Sequence, residues 1–169
     1  MSTVPKRQHA VKRQEEKHTA AGALLTDLII PTIQLEAHFS RAGESIAATA
    51  GQTLARWLTL EMVAGEPATV SQVARRLGLT RQSVQRIADL LEQDGLTEYA
   101  DNPDHETSRL VLLTPRGRRT LATIQAAQRA WANEIGAKIG EANLRQFGRM
   151  VDQLTQVLSG GSHLAGRRR

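Results

Sequence analysis

Between Thr80 and Arg86 the sequence reads Thr-Arg-Gln-Ser-Val-Gln-Arg, a run dense in hydrogen-bonding side chains. Arg81, Gln82, Ser83, Gln85 and Arg86 are the types that read nucleobase edges and phosphates: arginine pairs with guanine, glutamine with adenine, serine with either. Val84, Ile87 and Leu91 recur at helical spacing and predict the inward face. The five polar residues then fall on the outward face or the N-terminal rim. Asp89, Glu92 and Asp94 make the same helix acidic further on. Its first half can approach a polyanion, while its second half is repelled. The helix dipole adds partial positive charge at the entering end. The bland alternative is a helical hairpin with a solvated polar face.

A helix that inserts its tip must be braced by neighbours. Val70–Leu77 and Arg81–Gln93 predict two helices split by Gly78-Leu79-Thr80. Ala74 leaves room for two backbones to cross, and Gly78 tolerates the positive φ of a tight turn. Thr69 with Gln72 matches a capping box for the first helix. Thr80 is a natural N-cap for the second. Val84 and Ile87 are expected to pack on Val73, Leu77 and Leu79. Together these choices predict a helix-turn-helix.

Leu96–Ala100 and Arg109–Leu113 predict two short strands joined by the turn formers Asp101 to His105. A hairpin following a recognition helix is a wing, and this one is poorly basic. Asp101, Asp104 and Glu106 oppose Arg109 and a mostly neutral His105. Thr114-Pro115 then starts a long helix, with Thr as N-cap and Pro at the first position. Gly140 breaks it, and a last helix ends at Gly160-Gly161.

Upstream, Ala20 to about Arg41 predicts a helix carrying Leu24, Leu28 and Ile33, which Pro31 should kink or begin. Gly43 and Gly51 bracket an Ala-rich stretch where a short helix near residues 44–50 is expected. Thr53 to Ala64 predicts the next helix. The element order is four helices, two strands and two helices: mainly α with a small β-hairpin wing (α+β).

The segment that carries a resemblance is SQVARRLGLTRQSVQRIADLLEQDGLTEYADNPDHETSRLVLLTPRGRRTL, within Val70–Leu121. Its leucine-glycine turn, TRQSVQR helix start, LLEQDGL helix end and LTPRG wing exit resemble the multiple antibiotic resistance regulator (MarR) family of bacterial transcription factors. The resemblance implies a winged helix-turn-helix flanked by N- and C-terminal dimerisation helices. It implies a homodimer that binds double-stranded DNA at pseudo-palindromic operators and is often released by a small, frequently aromatic, molecule; a repressor role and, with no cysteine in the chain, a cytoplasmic location are expected. It places Arg81, Gln82, Ser83 and Arg86 on the base- and phosphate-reading helix, Ser71 and Gln72 on backbone contacts, and Arg109 on the wing. Thr80, Gln85 and His105 complete the expected DNA-facing set. Glu106, Thr107 and Ser108 depart from the arginine that family wings often carry near the tip.

This organisation predicts a basic arm at 1–18, N-terminal dimerisation helices at 19–52, the winged lobe at 53–119, C-terminal dimerisation helices at 120–159 and a basic tail at 160–169. The arm carries five basic residues against two acidic ones and the tail three arginines, so the ends exceed the +5 net charge and the body between them is slightly acidic. Leu24, Leu28, Leu144, Phe147, Val151, Leu154 and Leu158 form apolar stripes expected at the dimer interface. His38, Phe39, Arg41 and Trp57 are the candidate effector pocket, against the alternative of ordinary packing residues.

Other classes find little support. The chain has no cysteine, so thiolate metal sites and cysteine nucleophiles are excluded. Its five histidines lack ligand spacing, so no metal or other cofactor is expected. No phosphate-cradling loop or nucleophile elbow appears, so no enzyme is predicted. No stretch of about 18 uncharged apolar residues predicts a membrane span. The remaining rival is a winged-helix protein-interaction module without effector control.

Overall fold

A computed structural model describes residues 18–103 and 107–160. The expected arm up to Lys17, the tail beyond Gly160, and Asp104, His105 and Glu106 of the wing turn lie outside the described residues. The chain divides after Phe39 into two compact units.

The first unit is helical. Helix α1 spans Ala20–Ala48 and starts where the Thr19 hydroxyl accepts from the Gly22 amide at 3.0 Å. Pro31 lies inside it instead of opening it. Thr26 and Thr32 each donate a hydroxyl to the carbonyl four residues back, at 2.9 and 2.7 Å. None of its residues before Gly43 is buried.

The last turns of α1 belong to the second unit, and they correct one expectation. The stretch near 44–50 is no separate helix, because Gly43 does not interrupt α1. A Cβ at Gly43 would lie 2.7 Å from the Leu54 side chain. This glycine therefore serves close packing, not chain breakage. The Glu44 carboxylate accepts from the Leu54 amide at 3.0 Å. The Thr53 hydroxyl accepts from Arg56. Together they start α2, Leu54–Met62.

The winged lobe follows. Helices α3 (Val70–Leu77) and α4 (Arg81–Gln93) have the predicted bounds. Gly78 sits at φ 65° between them. The capping box on α3 is complete: Thr69 accepts from the Gln72 amide at 3.2 Å, and the Gln72 side chain accepts from the Thr69 amide at 2.7 Å. Strands β2 (Thr97–Ala100) and β3 (Leu110–Leu113) form the antiparallel hairpin, with Thr97 opposite Leu113 and Ala100 opposite Leu110. A third strand was not predicted. Ala68–Thr69 (β1) pairs with Val111 and Leu110, giving the order β1-β3-β2.

Leu60, Val73, Val84, Leu91, Val111 and Ile124 fill the core. Leu79 is a correction: it is exposed, because it lies in the turn with its amide bonded to the Ala74 carbonyl. Ile87 is only half-buried.

Helix α5, Pro115–Ile139, begins with the predicted Thr114 cap and Pro at its first position. Thr114 also donates its hydroxyl to the Gly95 carbonyl at 2.7 Å. A Cβ at Gly117 would lie 1.9 Å from the Leu96 carbonyl oxygen. The LTPRG segment is thus a packing motif in which only glycine fits. Gly140, at φ 87°, separates α5 from α6, Glu141–Gly160. No residue of α6 is buried.

Candidate nucleic-acid interface

The tip of α4 is built by local hydrogen bonding. The Thr80 hydroxyl accepts from the Ser83 amide at 3.1 Å and lies 2.8 Å from the Ser83 hydroxyl. This satisfies one of the helix's free donors and orders its first turn. Val84, Ala88 and Leu91 hold the opposite face in the core. Arg81, Gln82, Ser83 and Arg86 are consequently exposed. Thr80, Ser71 and Gln72 are exposed as well.

A cleft of about 690 Å³ runs between the start of α3, the start of α4 and the wing. Ser71, Gln72, Arg75 and Arg81 line it from the helices, and Asn102, Thr107 and Ser108 from the wing. Their hydroxyls, amides and guanidinium groups supply donors suited to phosphate oxygens, beside the Glu66 carboxylate and the apolar Pro67, Pro103 and Leu110. Arg75 joins the set although it was not predicted. Its signal was its position three residues after Gln72 on the same helical face.

Two predicted contacts are committed elsewhere. Gln85 is half-buried, and its side-chain amide donates to the Asp89 carboxylate at 2.8 Å and to the Tyr99 phenol oxygen at 2.7 Å. The Tyr99 hydroxyl donates to the same Asp89 oxygen at 2.8 Å. Arg109 donates to the Tyr99 carbonyl at 2.9 Å, and its guanidinium lies 4.9 Å from the Tyr99 ring centroid. That is cation–π range. Gln85 thus ties the wing to α4, and Arg109 ties the residue before β3 back to β2. Burial, with the Asp89 carboxylate next, pushes the Tyr99 phenol up to about 12.

The other end of α4 is anchored too. Asp94 pairs with Arg56 of α2, and the Asp94 carbonyl accepts from Arg116 at 2.8 Å. Asp94 is therefore a fastening point as well as an acidic group on the far half of the helix.

The four candidate pocket residues have different settings. Trp57 is a core residue, 8% exposed, with its indole N–H directed at Glu61, which also accepts from Gln125 of α5. His38, Phe39 and Arg41 lie on the surface of α1. Among the described residues no cluster of three or more histidine or carboxylate side chains could hold a metal ion.

A MarR family sequence profile matches residues 50–106, the lobe that carries this surface. An uncharacterized protein of Mycobacterium tuberculosis is 42% identical over 118 residues, covering 70% of this chain and 82% of that protein. The crystal structure of a MarR family transcription regulator superimposes with a TM-score of 0.71 at 26% identity, covering 83% of this chain and 96% of the other. This chain belongs to the MarR family.

Two more distant structures share the fold. Staphylococcus aureus MarR, in complex with salicylate and kanamycin, has a TM-score of 0.73 at 15% identity and covers 83% of this chain and 95% of its own. The M. tuberculosis transcriptional regulator MosR, in complex with DNA, has a TM-score of 0.61 at 21% identity, covering 76% and 96%. Within this MarR-family chain, sequence reading missed Tyr99 and Arg116 as well as Arg75, and it took Asp89 and Asp94 only as acidic groups. Apart from the Gln85–Asp89 pair, four residues apart on α4, the contacts of Asp89, Asp94, Tyr99 and Arg116 join different elements, so no local spacing announces them.

Proposed function

We propose that the chain is a homodimeric, sequence-specific double-stranded DNA-binding transcription regulator. In this reading it represses transcription from a pseudo-palindromic operator. The carrying observation is the capped tip of α4, which presents Arg81, Gln82, Ser83 and Arg86 to solvent while its other face is locked in the core. Exposed arginine and glutamine at the start of a recognition helix suit major-groove insertion. The donor-rich cleft beside it suits the adjoining phosphates.

Homodimerisation is supported by apolar surface. Leu24 and Leu28 on α1, and Leu144, Phe147, Val151 and Leu158 on α6, are all at least 40% exposed. Leu154 is half-buried. By length and composition, α1 holds an 18-residue window apolar enough to cross a membrane. Helix α6 carries a similar stripe but also Glu141, Arg145, Arg149 and Asp152, so it cannot span one. A second copy accounts for both stripes, and a membrane accounts for only one. Two-fold symmetry then sets the recognition helices about 34 Å apart.

Selection of bound fragments from a random duplex pool, followed by titration across a salt series, tests the reading. A two-fold-related motif and affinity falling linearly with log salt are expected. Arg81→Ala and Arg86→Ala should weaken binding and relax sequence preference. Salt-insensitive binding, or none at low ionic strength, would favour the protein-interaction module. Release by a small aromatic molecule is the finer part of the proposal, tested by adding such compounds to the preformed complex.

A further inference from the structure

The contacts of Gln85 constrain what it can say to a base. Asp89, as a carboxylate, only accepts, and the Tyr99 hydroxyl gives its one hydrogen to Asp89 at 2.8 Å. The phenol oxygen is then left to accept, and the two N–H bonds of the Gln85 amide point at Asp89 and Tyr99. The amide orientation is thereby forced. Arg109 holds Tyr99 from its other side, through the backbone carbonyl and the ring face.

We propose that Tyr99, a wing residue, determines what the recognition helix reads by saturating the donors of Gln85, so that Gln85 meets a base edge only as an acceptor. The inference rests on the DNA-binding reading above. A free glutamine reads adenine with both groups, accepting from N6 and donating to N7. An acceptor-only glutamine meets the exocyclic amine of adenine or of cytosine equally well, because each presents an N–H donor in the major groove. Wild-type protein should therefore tolerate adenine and cytosine alike at the Gln85 position. Freed of Tyr99, the amide regains one donor and should favour adenine.

Fragment selection with wild type, Gln85→Ala and Tyr99→Phe tests this. Gln85→Ala identifies the base position by losing preference there. Tyr99→Phe should shift that position toward adenine by about fivefold, the low end of the discrimination of one bidentate pair. An unchanged preference in Tyr99→Phe, or a strong wild-type preference for adenine over cytosine, overturns the inference and leaves DNA binding intact. No duplex binding by wild type at low salt overturns the DNA-binding reading itself.

A readout without DNA checks the brace. Tyr99 is the chain's one tyrosine, so its ultraviolet titration is unambiguous. Asp89→Asn should lower the phenol's pKa and Gln85→Ala should raise it, since the carboxylate pushes it up and the amide pulls it down. If neither substitution moves it, the brace is absent in solution and the inference fails.

Discussion

The winged lobe and the C-terminal helix solve the burial problem in opposite ways. Leu60 and Leu91 of the lobe, with Ile124 of α5, are completely buried, and caps, strand pairs and side-chain bridges tie the lobe's elements together. Helix α6 fully buries none of its residues, yet Phe147, Val151, Leu158 and their neighbours repeat on one stripe. An apolar stripe of that kind is stable in water only when covered. The lobe's residues were therefore chosen for the interior of one chain. Those of α6 are left without such cover by the described residues. The same contrast holds for the first unit, where Leu24 and Ile33 of α1 are more than half exposed.

The contrast breaks first at the stripe. If the proposed dimer uses this stripe, Phe147→Asp should abolish it, because a carboxylate would be buried there without a partner. Light scattering should then return the mass of one chain with circular dichroism still helical. Retention of the two-chain mass would mean that α6 faces solvent in the assembly.

Leu91→Ala probes the lobe and should cost about 3 kcal/mol of stability, the loss expected on opening a cavity at a completely buried leucine. Denaturant midpoints across protein concentrations separate the two regions. The Leu91 effect should be the same at all concentrations, whereas milder stripe variants such as Leu158→Ala should matter more on dilution.

Gly117→Ala sharpens the account of the lobe's seam. With a Cβ forced against the Leu96 carbonyl, a loss of about 2 kcal/mol is expected in the same unfolding experiment. A neutral outcome would show that α5 can shift away from the wing.

The smallest effect is pH-dependent. Tyr99 titrates near 12 in the folded chain against 10 ordinarily, so the folded state holds that proton more tightly. Its contribution is fully present below pH 10 and is lost as pH rises through about 12. The alkaline fall in stability should be shallower in Tyr99→Phe than in wild type, as followed by unfolding at fixed pH values. Equal slopes would place the phenol in water.

Sequence reading was most successful where structure is local. The capping box of Thr69 with Gln72, the Thr80 cap, the Gly78 turn and the Thr114-Pro115 start each depend on residues within a few positions of one another. The hairpin strands came within one residue of their observed starts. The apolar stripes of α1 and α6 were visible from periodicity alone.

Strand β1 was illegible because two residues carry no period, and they become a strand only by pairing with Val111 and Leu110 some forty positions away. Leu79 was misplaced because apolar character does not tell a turn residue from a core residue. The fate of Gln85 and Arg109 was hidden for a related reason: each looked like a free contact by type. Tyr99 takes up both, fourteen positions from the first and ten from the second. Chain-local chemistry writes helices, caps and turns into the order of residues. Which polar groups remain open to a partner depends on which distant side chain reaches them first, and that is settled only when the chain has closed on itself.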